Sequence, residues 1–453
     1  MKKKILFSLV AIFVLSGCST ISQKEVFDSM NQMTKNRGTG ELMWLKTPQE
    51  ADEIQKYINI LLKEPLSEAN AVRITLINNR ALQQTYEKIG IAQGDLMQSG
   101  LITNPLLGYS VGHGDGINKS SITLELAFLD LLWIPLRKSL SELALDETKL
   151  SVGDEVLRMV RDSKKTYINA RIAQETLLLN ADILKSHEAS VQLAMRQYTA
   201  GNLSKRNFLR ILDEYTNMRV ESIRLNRENA MAREALNKMM GIYAEQTEYK
   251  LSTELLSLTA TFPKNDRLEQ IAIKNRLDIA AAMKAVEYAA KEAGYTKNTN
   301  LLSEITIEGG SEKSTDTDHF NTIGLKIPIP IFDMGQGRVS RTQAYYNQSV
   351  QRLYEIAINI RSQTREAYAQ TRYAYDIADE YQSTIVKTNQ TIVEETQHYY
   401  NGMLDGIYEL LADQRHYSEV KIQALNAIGE YQKTQADLTY IIGGQDTILE
   451  DTK

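Results

Sequence analysis

The residues with the most reactive side chains are few and poorly spaced for catalysis. Five histidines, His113, His187, His319, His398 and His416, show neither an HExxH motif nor any paired-ligand spacing. His398 and His416 lie on the two sides of one turn, and a metal relay between them is the weaker reading beside ordinary surface histidines. The single cysteine, Cys18, has no partner for a disulfide or a thiolate metal site. Gly112-His-Gly-Asp-Gly116 has the glycine density of a phosphate loop, but it joins two strand-like segments instead of opening a helix, so an external loop suits it better. A net charge of -5 offers no electrostatic footprint for nucleic acid. What remains is electrostatic. Arg206 and Arg210 share one helix face, as do Asp405, Glu409 and Asp413, so two stripes of opposite sign stand beside two turns at Gly201 and Gly402. Neither catalysis nor a cofactor is expected.

The elements that position those stripes occur twice. Asn79-Arg80 returns as Asn275-Arg276, Pro135 as Pro330, and Tyr198-Thr-Ala-Gly201 as Tyr399-Tyr-Asn-Gly402, each about 200 residues later. All seven prolines lie at 48, 65, 105, 135, 263, 328 and 330, which leaves proline-free runs from Leu136 to Phe262 and from Ile331 to Lys453. Rich in Ala, Leu, Glu, Gln, Lys and Arg, these runs predict helix, each folded into a hairpin at its turn. Arms of that length cannot form one globular core and must pack side by side along narrow apolar seams.

A different texture precedes each hairpin. Segments 104–113, 121–128, 302–309 and 320–327 alternate polar and apolar residues, which predicts strands. Ile122, Leu124, Leu126 and Phe128 fall on one face and Thr123 and Glu125 on the other; Ile305 and Ile307 likewise oppose Glu304, Thr306 and Glu308. Each segment is close to the roughly 9 to 11 residues that a tilted membrane strand needs. Four strands do not close a barrel, and lipid tolerates no open sheet edge, so membrane-spanning strands would require several chains. Phe128, Trp133 and Phe332 near the strand ends fit either an interfacial aromatic belt or core packing.

The N-terminus resembles that of bacterial lipoproteins. Lys2 to Lys4 form a basic region, Ile5 to Leu15 an apolar one, and Leu15-Ser-Gly-Cys18 a lipobox. The resemblance implies cleavage after residue 17, a diacylglycerol thioether and an N-acyl chain on Cys18, and, with Ser19 following, sorting to the outer membrane. The expected organisation is a signal peptide (1–17), an anchored segment (18–65), two repeats (66–262 and 263–444) and a tail (445–453).

The order helix, strand pair, long helical hairpin, twice over, resembles the TolC-type outer membrane efflux factors. Ala71-Val-Arg-Ile-Thr-Leu-Ile-Asn-Asn-Arg-Ala-Leu-Gln83 resembles the opening of the family's first repeat. Asn275-Arg-Leu-Asp-Ile279 resembles the second opening, with Leu277 where the family usually has proline, and Ile327-Pro-Ile-Pro-Ile-Phe-Asp-Met-Gly-Gln-Gly337 resembles its strand exit. The resemblance implies a mainly α fold with a small β part, in which a homotrimer joins four strands per chain into a twelve-stranded barrel continuous with a periplasmic helical barrel. It further implies a passive duct of a tripartite efflux or type I secretion system, working with a periplasmic adaptor protein and an inner-membrane pump. Gly201 and Gly402 would be the adaptor-facing tips. Arg206, Arg210, Asp405, Glu409 and Asp413 would be aperture charges, although Glu409-Leu-Leu-Ala412 departs from the usual Val-Leu-Asp-Ala. A lipid-anchored helical scaffold without a pore is the alternative, and it leaves the alternating strands without a purpose.

Overall fold

The computed structural model describes residues 22–114, 117–252, 258, 267–299, 305–314 and 320–444. Cys18, the lipobox and the acidic tail lie outside them. The described helices are α1 (Gln23–Lys35), α2 (Pro48–Leu61), α3 (Glu68–Asn78), α4 (Arg80–Ser99), α5 (Phe128–Thr199), α6 (Lys205–Met240), α7 (Leu268–Asn275), α8 (Leu277–Thr299), α9 (Gln336–Glu380), α10 (Val386–Asn401) and α11 (Ile407–Ile441). The strands are β1 (Leu106–Gly114), β2 (Ile117–Ala127), β3 (Thr306–Ser314) and β4 (Phe320–Lys326). The chain is thus mainly helical with one small sheet. No described helix is long and apolar enough to cross a membrane.

The residues group into two compact units, and each unit draws on both sequence repeats. One holds Met1–Gln32, Tyr86–Gly153 and Leu277–Ala357, with all four strands; the other holds Met33–Thr85, Asp154–Arg276 and Ile358–Lys453, with both hairpin turns.

In the hairpin unit the repeats are built around two matching cores. Ala71, Ile74, Ala170, Leu236 and Met240 pack together in the first, and Leu268, Ile271, Ala367, Leu438 and Ile442 in the second. Each core is closed by a helix that ends on a left-handed glycine, Gly241 (φ 69°) or Gly443 (φ 97°). A side chain at Gly241 would meet the Asn78 carbonyl at 3.0 Å, and one at Gly443 would meet Asn275 Cβ at 2.7 Å. Glycine is required there for both its positive φ and its lack of a side chain. The structural counterpart of Asn78 is therefore Asn275. The Asn-Arg pair common to both repeats sits one residue out of step, because the single extended residue between consecutive helices is Asn79 (ψ 120°) in the first and Arg276 (ψ 136°) in the second.

Asn78 joins the pieces of the first core. Its buried amide donates to the carbonyls of Met240 at 2.9 Å and Gly241 at 2.8 Å, and its oxygen accepts from Gln55 at 2.8 Å. Asn79 donates to Met239 and caps the Leu82 N–H of α4. Asn78→Ala would leave a buried carbonyl at Met240 and a partly buried one at Gly241 without this partner and is expected to lower stability by about 2–3 kcal/mol in thermal or denaturant melts.

Candidate functional site: the sheet and the helical turns

The four strands form one antiparallel sheet in the order β1-β2-β3-β4. Opposite residues include Leu107↔Leu124, Leu126↔Ile307 and Ile307↔Leu325, which places Leu107, Leu124, Leu126, Ile307, Ile323 and Leu325 on one face. Tyr109, Val111 and Ile122 extend that face, while His113, Ser120, Ser311, Lys313 and Asn321 give it a polar margin toward the hairpin ends. The apolar band is uncovered: Leu107 is 74% exposed and Ile323 92%. Single exposed apolar residues are ordinary, but a contiguous band marks a surface that meets lipid or protein.

The opposite face is polar and rich in glycine. Glu125 and Glu308 stand directly across from each other, and Lys326 Nζ lies 2.5 Å from Glu125 and 2.7 Å from Glu308. Lys119 pairs with Glu312 at 3.0 Å. Gly108, Gly310 and Gly324 alternate with Thr123, Thr322 and Glu308, whose side chains fill the space a Cβ would need. The sheet therefore has the two-faced pattern read from the sequence, with Thr123 and Glu125 opposing Ile122, Leu124 and Leu126. Gly112 and His113 fall in β1, as the strand reading of 104–113 has it and the loop reading of 112–116 does not, because they pair with Lys119 and Asn118; Asp115 and Gly116 lie outside the described residues.

Both exits from the sheet are held by an aspartate that sequence reading did not single out. Asp333 accepts the Gly335 N–H at 2.7 Å and pairs with Arg338 at 2.9 Å, and these two contacts hold its carboxyl below the usual range. Gly335 takes φ 74°, so the Phe-Asp-Met-Gly run turns the chain into α9. In the first repeat Asp130 accepts from the Thr103 N–H and hydroxyl and pairs with Arg137 at 2.6 Å. Here the helix begins at Phe128, and Pro135 lies within it instead of preceding it as the repeat pattern suggests, so the two exits share a carboxylate clasp but not a proline position. Trp133 packs edge-on against Tyr295, with ring centroids 5.6 Å apart, whereas Phe332 is 92% exposed.

In the other unit, both turns end a helix with the same pair of hydrogen bonds. At the first, Gly201 N–H reaches the Tyr198 carbonyl and Asn202 N–H that of Gln197; at the second, Met403 N–H reaches Tyr400 and Leu404 N–H reaches Tyr399. The left-handed residue is Gly201 (φ 77°) in one and Met403 (φ 57°) in the other. Gly402, which the Tyr-x-x-Gly repeat aligns with Gly201, has φ -80°, because Met403 occupies the site that Gly201 fills in the first hairpin. Across the first turn Tyr198 and Phe208 stack at 5.3 Å.

The candidate aperture charges surround these turns without pairing to one another among the described residues. Arg206, Arg210, Asp405 and Glu409 are exposed. Glu409 lies over Gly406 at the start of α11, where a carboxylate complements the helix dipole. Asp413 accepts from Thr396 at 2.6 Å, while Ala194 and Ile211, at the same distance from the first turn, are buried and apolar. Closer to the turns than the Lys165–Asp437 pair, an ion pair between the hairpins runs the other way, from Arg415 to Glu214 at 3.6 Å. His187 is buried within electrostatic reach of both, and its Nδ1 has no hydrogen-bond partner. No group of three or more His, Cys, Asp or Glu among the described residues could hold a metal ion.

A duplicated strand pair and helical hairpin, with one two-faced sheet, is a fold this chain shares with solved outer membrane channels. Residues 268–444 match the model of a family described as outer membrane efflux protein. The solved Campylobacter jejuni CmeC outer membrane channel matches with a TM-score of 0.71 at 14% identity, covering 91% of each chain. Nodulation protein T of Rhizobium leguminosarum bv. viciae is 23% identical over 282 residues, covering 58% of this chain and 58% of that protein. The cobalt-zinc-cadmium resistance protein CzcC of Cupriavidus metallidurans is 23% identical over 281 residues, covering 61% of this chain and 65% of its own. The chain thus spans less than two thirds of the length of these two relatives.

Two outcomes follow from the turn geometry. Gly201→Ala is expected to cost about 1–2 kcal/mol and Met403→Gly to stabilise by a similar amount, each read as a shift in thermal midpoint, because only glycine adopts the left-handed region without penalty. Burial lowers the His187 pKa, with Glu214 opposing and Arg415 adding to the effect. Its neutral form then belongs to the folded state, so stability is full above the unfolded value of about 6.5 and declines as pH falls below it. His187→Gln should flatten that decline.

Proposed function

We propose that three copies of this chain assemble into a passive duct of the outer membrane that exports small molecules, with transport energised by an inner-membrane pump and coupled through a periplasmic adaptor protein. The sheet is the observation that supports this reading most. Its edge strands β1 and β4 have no outer partner among the described residues, its outer face is an uncovered apolar band, and its other face is polar. In lipid each unpaired backbone group costs several kcal/mol, so β1 of one chain would pair with β4 of the next until the barrel closes. Three chains give twelve strands.

Cys18 carries the lipid anchor in this reading, and the turns at Gly201 and Gly402 form the periplasmic end that meets the adaptor. Between neighbouring chains, Arg206 and Arg210 oppose Asp405, Glu409 and Asp413 and hold the resting aperture shut. Passage, not reaction, is the task, and neither cofactor nor nucleic acid takes part.

The detergent-solubilised protein should behave as a trimer with a narrow, elongated body by light scattering and negative-stain imaging. A monomeric particle would sink the duct and leave a lipid-anchored scaffold. In planar bilayers, reversing the charge of both Arg206 and Arg210 to Glu should raise single-channel conductance; unchanged conductance would remove these residues from the aperture.

A further inference from the structure

We propose that Lys326 sets the ion selectivity of the strand wall, by cancelling one of two facing carboxylates on the polar side of the sheet. The inference rests on the duct reading, in which that side lines the lumen.

Glu125 and Glu308 are directly opposed on β2 and β3. Like charges so placed repel and destabilise the ladder. Lys326, on β4, reaches across to bond both, at 2.5 Å and 2.7 Å. The backbone makes room for this arrangement. Gly324 lies opposite Glu308, and a Cβ there would sit 2.8 Å from Glu308 Oε1 and 2.9 Å from its Cγ. Without a side chain at 324, Glu308 can lie along the sheet toward Lys326 instead of projecting away from it. The other pair on this face, Lys119 with Glu312, is already neutral. Lys326 therefore decides whether the described part of the wall presents one uncompensated carboxylate per chain or two.

A wide lumen screens its wall charges at high salt, so the effect belongs to dilute solution, where the Debye length grows from about 3 Å at 1 M to about 30 Å at 0.01 M. The test is the reversal potential of the reconstituted full-length protein under a KCl gradient, measured near 0.01 M and again near 1 M. Lys326→Gln should raise the cation-to-anion permeability ratio by about 2-fold or more at low salt and leave it unchanged at high salt. Lys326→Arg should restore the wild-type ratio, and Glu125→Gln with Glu308→Gln should move it toward anions, which keeps the proposal testable if Lys326→Gln fails to assemble. Gly324→Ala, which displaces Glu308 with every charge retained, should raise the cation ratio by less than Lys326→Gln does. A conducting Lys326→Gln channel with the wild-type reversal potential at low salt would overturn the proposal. Absence of conductance in both the wild-type protein and the variant with Arg206→Glu and Arg210→Glu would instead overturn the duct reading itself.

Discussion

The constraint on which the rest depends is that the backbone groups on the outer sides of β1 and β4 need partners. Three antiparallel ladders satisfy the inner strands, and one chain carries no further strand among the described residues to cover the edges. An edge beside an uncovered apolar band is a strong template for association. The chain manages it by keeping the strands short, seven to eleven residues, and by gathering most of the large apolar side chains on one face, with Leu106 and Phe320 exceptions on the other. Glycines on the polar face let threonine and glutamate side chains lie along the sheet. Aspartate clasps at both exits then redirect the chain into long helices.

Duplication preserved geometry more faithfully than residue identity. Asn79 and Arg276 occupy the same extended break between helices, and Gly201 and Met403 the same left-handed position. The second hairpin is the more polar and more strained of the two. It places a methionine where glycine is favoured, replaces the buried Ala194 and Ile211 with the Thr396–Asp413 hydrogen bond, and passes through one π-helical turn, Tyr381–Ile385, between α9 and α10. A π turn weakens the regular hydrogen-bond ladder and is often found where a helix serves a function.

Much of this was legible in the residues. Long proline-free runs of helix formers became α5, α6, α9, α10 and α11, and the period-two segments overlap the four strands, because both signals are local; the match is loosest at 302–309, where residues 302–304 lie outside the described residues and β3 runs from Thr306 to Ser314, and Phe128 opens α5 instead of ending a strand. One-residue shifts escaped. The repeat Tyr-x-x-Gly aligns Gly201 with Gly402, yet hydrogen bonds to the last turn of α10 place the left-handed residue at Met403, whose side chain carries no mark of that conformation.

The sequence by itself determined the element order, the two faces of each strand and the sites of the turns, since these follow from side-chain period and backbone propensity over a few residues. Only the tertiary structure decided which residues meet. Lys326 reaches Glu125 and Glu308 through strand register, Arg415 selects Glu214 while the stripes at Arg206 and Asp405 stay apart within one chain, and Asn78 caps a helix that ends far along the sequence at Gly241. Such pairings depend on distances between separate elements, and no periodicity within one element encodes them.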